Sequence, residues 1–218
     1  MNSFSIGQAN YQNINNIIFD LGGVIVEIDY QITIGMFKKL GISDFDSLYG
    51  QYKQAHLFDG FDKGHVSPEQ FREGLSQFLH KSIDKSDFDA AWNSMIKQLP
   101  AQNIVLLDIL KNKYNTFLLS NTNEIHLEYF FRMIYDVHKV NQFESLFNKA
   151  YYSCRIGMRK PDREIYEFVL KDSGLKAEES LFIDDTSINL IPAEEVGIKT
   201  FLMPKGRLLY QVINACSL

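Results

Sequence analysis

Asp20 is the residue with the clearest capacity for chemistry in this sequence. It follows an apolar run at 17–19, which is typical of a strand buried on both faces, and it precedes Gly22 and Gly23. The glycines permit a sharp turn and let backbone amides come close to a ligand. A carboxylate at the carboxyl end of a buried strand lies where open α/β sheets bind ligands. The alternative is that Asp20 caps a turn that the glycines shape.

Two polar clusters further along the chain could bind an anion. Ser120 and Asn121 follow the apolar run at 117–119, and a hydroxyl with backbone amides at this point could hold a phosphate at the start of the next helix. Lys160 precedes Pro161, which keeps its backbone extended, and its ammonium group would neutralise a phosphate or a carboxylate. An ordinary helix cap at Ser120 and a solvated surface lysine at Lys160 are the alternatives.

A pair of adjacent carboxylates, Asp184 and Asp185, follows the apolar run at 181–183. The two groups repel each other unless a cation or a base is present. Oxygen ligands gathered in this way suit Mg²⁺, which keeps several waters and binds through few carboxylates together with a substrate phosphate. Capping of the next helix is the alternative, although a cap needs one acid rather than two.

The elements that would position these clusters can be predicted from the spacing of apolar residues. After residue 115 the chain alternates between strand and helix patterns, which indicates parallel βαβ units. The predicted strands are 116–119, 148–153, 180–183 and 199–202, and the predicted helices are 123–135, 162–173 and 187–196. Because the carboxyl ends of parallel strands meet at one edge of a sheet, Asp20 and the three later clusters would converge on one crevice.

Helical patterns dominate between residues 31 and 113. Ser67 predicts a helix start, because Pro68 occupies the first turn and Gln70 completes a capping box. Further helices are predicted at 48–58, at 86–97 and from Pro100, with a loop at 58–64 and an extended segment at 24–26.

The simplest architecture is one α/β domain that a helical insertion splits after its first strand. The core would comprise residues 1–28 and 104–218, and the insertion would comprise residues 29–103. The aromatic residues of the insertion would mostly form its own core, while some near its loop could face a substrate; they include Tyr49, Tyr52, Phe58 and Phe61.

Composition argues against several other functions. The 218 residues carry a formal net charge of -5 without a clustered basic face, so we expect no nucleic-acid partner. No apolar run approaches the ~20 residues of a membrane span, and residues 1–16 lack the pattern of a signal peptide, so we expect no membrane partner. Cys154 and Cys216 fit neither a metal site nor a disulfide framework, which indicates reduced thiols and a cytoplasmic protein.

The four polar clusters, in this order, resemble the motifs of the haloacid dehalogenase (HAD) superfamily. Residues 19–24 resemble the first motif, 119–121 the second, Lys160 with Pro161 the third, and 182–185 the fourth. The resemblance covers nearly the whole chain, and the helical insertion corresponds to the cap of the family. It implies an α/β fold with a Rossmann-like parallel sheet core and an inserted all-helical cap domain.

The resemblance implies a magnesium-dependent phosphatase that acts on a small phosphorylated metabolite. Asp20 would attack phosphorus and form an aspartyl-phosphate, which water then hydrolyses. A glycine two positions after this aspartate is similar to the sugar-phosphate phosphatases of the family, including those acting on glucose 1-phosphate. The implied substrate is therefore a sugar phosphate, such as a sugar 1-phosphate.

The resemblance also assigns roles to the other motif residues. Magnesium would be held by oxygen atoms, which come from Asp20, the carbonyl of Gly22, Asp184 and Asp185. Phosphate would be bound by groups of the first two motifs, which are Gly22, Gly23, Ser120 and the amide of Asn121. Lys160 would balance the charge of the nucleophile and the phosphate, because a carboxylate attacking a phosphate dianion must overcome like-charge repulsion.

One departure from the family pattern concerns proton transfer. Most phosphatases of the family carry a second aspartate, the acid and base, where this chain has Gly22. General acid–base help is typically worth ~10²–10⁴-fold. Either the leaving group needs less help, as an anomeric oxygen or an acyl phosphate would, or another acid substitutes. The candidates for such an acid lie in or near the cap: Glu27, Asp29, His56 and His65.

Other functions remain open at this point. A haloacid dehalogenase needs no metal, so Asp184 and Asp185 argue against it. A catalytically weak HAD-like protein, which binds a phosphorylated ligand or partner in a regulatory role, would account for the missing acid at Gly22 but has no need of Asp20. The expected partner is a small phosphorylated substrate, and the chain would be a monomer or a homodimer.

Overall fold

A parallel sheet carries the residues that the sequence analysis singled out. The computed structural model describes residues 11–43, 45 and 56–218. Its strands are β1 (Asn16–Phe19), β2 (Glu27–Ile28), β3 (Ile96–Gln98), β4 (Asn115–Ser120), β5 (Lys149–Tyr152), β6 (Ser180–Asp184) and β7 (Lys199–Leu202). The central sheet has five strands in the order β5-β4-β1-β6-β7, and every neighbouring pair in it is parallel. The strands predicted after residue 115 are all present, with small differences at their ends.

Helices cover the sheet and form the insertion. Those among the described residues are α1 (Tyr30–Lys39), α2 (His56–Asp62), α3 (Pro68–Phe78), α4 (Lys85–Asn93), α5 (Ala101–Lys111), α6 (Glu124–His138), α7 (Ser153–Ile156), α8 (Arg163–Asp172), α9 (Ser187–Glu195) and α10 (Leu209–Ala215). Short 3-10 turns lie at Phe143–Leu146 and Ala177–Glu179. Helices α6, α8 and α9 correspond to the three helices predicted between the strands.

Both faces of the central sheet are buried, as the apolar runs predict. Ile17 and Phe19 of β1 belong to one hydrophobic cluster, whereas Ile18 packs on the opposite face with Phe182 of β6. Successive side chains of a strand point to opposite faces, so a strand buried on both sides needs an apolar residue at each position. Strand β1 pairs with both β4 and β6, which fixes the position at which the chain leaves the sheet at Asp20.

The helices α1 to α4 form a cap with a hydrophobic core of its own. Phe71 is fully buried in it and stacks on Phe61 with ring centroids 4.0 Å apart, while the ring of Trp92 lies 5.0 Å away. Helix α3 begins as predicted, because Ser67 and Gln70 exchange both hydrogen bonds of a capping box. The α/β core with a helical cap is therefore confirmed, while the residue limits assigned to each domain stay a prediction.

The predicted loop at 58–64 is largely helical. Helix α2 covers it up to Asp62, because Phe58 and Phe61 are three residues apart and both pack into the core of the cap. The glycines at 60 and 64 favoured a loop in the sequence, but the gain from burying two aromatic rings outweighs the low helix propensity of Gly60.

The cap joins the core through a short two-stranded ribbon that sequence analysis missed. The helix predicted at 86–97 ends at Asn93, and β3 follows it. Strand β3 pairs antiparallel with β2, with Ile28 opposite Ile96 and Glu27 opposite Gln98. In the part of the cap that the structure describes, these two strands at its base are the regular structure that is not helical.

The segment after Asp20 also differs from its prediction. Residues 24–26 do not continue as an extended strand, because the amides of Ile25 and Val26 both donate to the carbonyl of Leu21 at 2.9 Å. The amide of Gly23 donates to the carbonyl of Val26 at 2.8 Å. The result is a tight turn that brings the chain back beside the end of β1 before β2 begins.

Two predictions fall partly or wholly on residues outside those described. Most of the weak helix predicted at 48–58 lies there, as do Tyr49 and Tyr52. Within the described residues, every helix is too short or too polar to cross a lipid bilayer.

Candidate active site

The centre of the candidate site is a buried lysine between two aspartates. Asp20 follows β1, Asp184 ends β6, and Lys160 lies in the loop before α8. The ammonium Nζ of Lys160 donates to Asp20 Oδ1 and to Asp184 Oδ2, both at 2.7 Å. Lys160 is only 1% exposed, and Asp184 is fully buried. The convergence of the first, third and fourth motifs on one crevice is therefore observed in the structure.

The ionisation of these groups is set by burial and by one another. Burial alone would lower the pKa of Lys160, but the negative charges of Asp20 and Asp184 outweigh it and raise that pKa above its usual value. Burial raises the pKa of Asp20 to about 7, against the opposing effect of Lys160 and together with the charge of Asp184. The lysine thus stays protonated and serves as the internal counter-ion of this cluster.

The remaining negative charge fits a divalent cation. Asp20, Asp184 and Asp185 each offer a carboxylate oxygen, and these oxygens all lie within 4.8 Å of one another. Three carboxylates face one ammonium group, so the cluster carries excess negative charge and offers the hard oxygen ligands that Mg²⁺ prefers. Burial also raises the pKa of Asp185, and the negative charge of Asp184 adds to the rise, so a cation at this place would stabilise the charged form.

Asp184 is held in place by the helix that follows it. Its Oδ1 accepts from the backbone amide of Thr186 at 2.7 Å, and the side-chain amide of Asn189 donates to Oδ1 at 3.1 Å and to Oδ2 at 3.0 Å. The alternative interpretation of this motif, capping of the next helix, is thus partly correct. The same carboxylate contacts the start of α9 and the ammonium group of Lys160.

Gly23 is required by space and by backbone conformation. Its φ is +78°, and a Cβ at this position would overlap the carboxylate of Asp185. Its amide is already engaged by Val26, so the structure gives Gly23 a role in shaping the turn beside Asp185. A phosphate contact of Gly23, like that of Gly22, remains a prediction.

The side chain of Asn121 has a role that the sequence analysis did not assign. Its Nδ2 donates to the carbonyl of Lys160 at 2.7 Å, and its Oδ1 accepts from the amide of Lys160 at 2.9 Å. This pair of hydrogen bonds fixes the backbone from which the lysine reaches the two aspartates. Ser120 is buried beside it at the end of β4, and both residues line a cavity between the core and the cap.

A cavity of about 470 Å³ opens above this cluster, between the core and the cap. Its size is that of a small-molecule site. Asp20, Gly22, Lys160 and Asp185 line its core side. The described residues of the cap contribute mainly apolar and aromatic side chains together with one acid; they include Tyr30, Phe58, Asp62, Trp92 and Met95.

This combination of motifs, fold and site has a clear counterpart among known proteins. Residues 17–203 match the haloacid dehalogenase-like hydrolase family. The chain belongs to this family. The resemblance inferred from the four motifs is thereby confirmed.

Individual members of the family are similar over most of their length. D-ribitol-5-phosphate phosphatase of Bacteroides thetaiotaomicron is 31% identical over 88% of this chain and 93% of that protein. Sesquiterpene phosphatase of Aspergillus oryzae is 28% identical over 83% of this chain and 85% of that protein. A crystal structure of a HAD family enzyme from B. thetaiotaomicron, in complex with magnesium and inorganic phosphate, shares a TM-score of 0.82 and 34% identity over 91% of this chain and 98% of that one. The prediction that this HAD-like enzyme is a phosphatase is confirmed.

Most of the sequence candidates for an acid in place of the aspartate that Gly22 replaces lie away from the cavity. Asp29 accepts from the amide of Gln31 and caps α1, and Glu27 accepts from the side chain of Gln98 in the ribbon. Neither of these acids lines the cavity, and the exposed His65 does not either. The side chain of His56 lies outside the described part of the chain.

The cavity is lined by two other cap residues whose side chains can donate or accept a proton, Tyr30 and Asp62. Burial and then the negative charge of Asp20 raise the pKa of Tyr30 to about 12, so its hydroxyl stays protonated. Asp62 pairs with Arg159 at 3.4 Å. Sequence analysis missed both, because which cap residue reaches the crevice depends on how the cap packs on the core.

Proposed function

We propose that this phosphatase hydrolyses the monophosphate ester of a small sugar or sugar alcohol, with Mg²⁺ as its cofactor. The observation that carries the proposal is the cluster of Lys160, Asp20, Asp184 and Asp185 at the floor of a cavity of about 470 Å³. The phosphate group of a substrate can bind at this charged floor, and the cavity above it has room for the rest of a small metabolite.

Asp20 acts as the nucleophile in this proposal. Its carboxylate oxygen forms a bond to phosphorus while the bond from phosphorus to the substrate oxygen breaks, and the departing oxygen takes up a proton. A water molecule then attacks the aspartyl-phosphate, the bond between phosphorus and Asp20 breaks, and inorganic phosphate leaves. Splitting the hydrolysis in two in this way replaces one difficult step by two easier ones.

The other residues reduce the electrostatic repulsion between the Asp20 carboxylate and the phosphate dianion. Mg²⁺, which Asp20, Asp184, Asp185 and the carbonyl of Gly22 would hold, supplies positive charge that offsets the phosphate dianion when it is bound. Lys160 keeps its proton and lies 2.7 Å from Asp20, so it reduces the repulsion between nucleophile and phosphate. Ser120 and the amide of Asn121 would donate to phosphate oxygens at the start of α6.

The nature of the leaving group follows from Gly22 and from the relatives. Gly22 has no side chain that could donate a proton, which favours a good leaving group such as the anomeric oxygen of a sugar 1-phosphate. The relative named D-ribitol-5-phosphate phosphatase favours a sugar alcohol phosphate instead. In that case Tyr30, which lines the cavity with its hydroxyl protonated, is a candidate hydrogen-bond donor to the departing oxygen.

A panel of substrates separates these possibilities. We would measure release of inorganic phosphate from ribitol 5-phosphate, glucose 1-phosphate, acetyl phosphate and an isoprenoid monophosphate, each with Mg²⁺ and with a chelator. The isoprenoid compound is included because apolar side chains line much of the cavity. Magnesium-dependent release that favours the two polyhydroxylated compounds supports the proposal. A preference for the isoprenoid compound would contradict it, as would phosphate release that is equally fast with Mg²⁺ and with the chelator.

We also propose that the enzyme acts in the cytoplasm as a monomer or a homodimer. Both cysteines, Cys154 and Cys216, are free thiols in the structure. Light scattering on the purified protein would distinguish the two assembly states, and a larger assembly would contradict the proposal.

A further inference from the structure

His126 links the cap, the core and the cavity. It lies in the first turn of α6, and its Nδ1 is 2.8 Å from Oδ1 of Asn93 at the end of cap helix α4. Its ring stacks on Trp92, also from the cap, with ring centroids 5.3 Å apart and an angle of 2° between the planes. His126 is also one of the residues that line the cavity, as Asp20 is. This side chain is therefore held in one orientation by two cap residues.

The contact with Asn93 determines which nitrogen of His126 carries the proton. An amide oxygen can only accept a hydrogen bond, so Nδ1 must donate to it. Burial lowers the pKa of His126 to about 3, so the ring is neutral and carries a single proton. Nε2 is consequently an unprotonated acceptor, and no other residue in the described part of the chain donates a hydrogen bond to it.

An unprotonated Nε2 in the cavity favours a substrate group that can donate a hydrogen bond over one that cannot. A phosphate dianion has no proton to donate to Nε2, so we expect the phosphate to bind beside the ammonium group of Lys160 instead. A hydroxyl group does have a proton to donate. An aliphatic tail would leave Nε2 without a partner, which costs binding free energy for a polar group removed from water.

We propose that His126 Nε2 accepts a hydrogen bond from a hydroxyl of the substrate's carbon chain, and that Asn93 fixes the tautomer that makes this possible. His126 is then a specificity-determining residue, and Asn93 is a positioning residue. Because His126 comes from the core and Asn93 from the cap, the acceptor is oriented only when the cap lies against the core. The inference deepens the proposed function and rests on it.

Two substitutions of His126 test the roles of its two ring nitrogens separately. His126→Asn keeps a donor near the position of Nδ1, whereas His126→Gln places an amide near the position of Nε2. The quantity to measure is the ratio of kcat/KM for ribitol 5-phosphate to kcat/KM for propyl phosphate, which carries no free hydroxyl. The proposal predicts that His126→Asn lowers this ratio about 10- to 100-fold, mainly through KM, and that His126→Gln retains more of it. The matched control is His65→Asn, an exposed histidine outside the cavity, which should leave the ratio unchanged.

The outcomes distinguish this inference from the proposed function. A wild-type enzyme that does not prefer ribitol 5-phosphate or glucose 1-phosphate over propyl phosphate overturns the proposed function, before any variant is made. If the wild type prefers ribitol 5-phosphate over propyl phosphate and His126→Asn keeps that preference, the role of His126 is overturned while the proposed function stands. The same holds if His126→Asn lowers kcat/KM equally for both substrates. A nitrogen-15 NMR spectrum of the Asp20→Asn protein adds a readout that does not depend on the folding of a His126 variant. The Nε2 resonance should be that of an unprotonated nitrogen and should shift when ribitol 5-phosphate is added, and a protonated Nε2 would contradict the proposal.

Discussion

The ammonium group of Lys160 lies 2.7 Å from both Asp20 and Asp184, in a place where only 1% of the lysine is exposed. Two strands and one loop, far apart in the sequence, thus meet through a single buried charge. The contact has consequences for stability as well as for activity, because a buried carboxylate that loses its counter-ion is destabilised.

Replacing Lys160 by Met should affect both properties. Removing one partner of a buried ion pair costs about 3–5 kcal/mol, so the free energy of unfolding in a chelator should fall by that order. Activity should fall by about 10²–10³-fold, as it does when a group that stabilises a transition state is lost. Denaturant unfolding and phosphate release would measure the two effects. Lys176→Met, which breaks an exposed pair with Glu179, is the control and should change neither by much.

Asn121 should matter through the backbone of Lys160. Replacing Asn121 by Ala removes two hydrogen bonds to that backbone, each worth about 0.5–1.5 kcal/mol of net stability. We expect a loss of about 1–3 kcal/mol in unfolding free energy and a lower kcat, because Nζ is less well fixed. Asn112→Ala removes a single bond on the exposed end of α5 and serves as the control. An unchanged kcat in Asn121→Ala would contradict the positioning role.

Gly23 and Gly174 form a matched pair for testing the turn beside Asp185. Both have a positive φ, +78° and +64°, but a Cβ at Gly174 meets nothing within 4 Å, whereas one at Gly23 overlaps the Asp185 carboxylate. Both Ala variants should lose about 1–2 kcal/mol from backbone conformation alone. Gly23→Ala should lose more stability and should also need a higher Mg²⁺ concentration for half-maximal activity. Equal losses in the two variants, with unchanged Mg²⁺ dependence, would show that Asp185 is not affected by Gly23.

His126 should make the fold less stable in acid. Burial lowers its pKa from 6.5 to about 3, so below about pH 6.5 the unfolded chain binds a proton that the folded chain does not. The contribution of His126 to stability is therefore fully present above pH 6.5 and declines by up to about 1.4 kcal/mol per pH unit as the pH falls toward 3. Unfolding titrations of the wild type and His126→Asn, compared over this range, isolate this residue from the other titrating groups. Parallel pH profiles for the two proteins would contradict the assignment of a neutral, buried ring.

The main features of the site could be predicted because they depend on local patterns. An apolar run that ends in Asp20, or in Asp184 and Asp185, identifies the strand and its polar end together. Parallel pairing then places those ends side by side without any knowledge of the packing.

The features that sequence analysis missed depend on contacts between distant segments. The pair of His126 and Asn93 spans 33 positions, and neither residue has a motif around it that indicates the other. Strands β2 and β3 have two and three residues, which is too short for a periodic pattern to show. Helix α2 contains Gly60 and two aspartates, so only its burial against Phe71 explains why it is helical.

In the proposed reaction, Asp20 carries the phosphoryl group between its two steps. The most direct test is rapid acid quenching of the enzyme during turnover of a substrate from the panel with Mg²⁺, followed by mass spectrometry of the peptide that contains Asp20. We predict a peptide heavier by one phosphoryl group in the wild type, and neither this adduct nor phosphate release in Asp20→Asn. Steady release of phosphate by Asp20→Asn at the wild-type rate would contradict the role of Asp20 as the nucleophile.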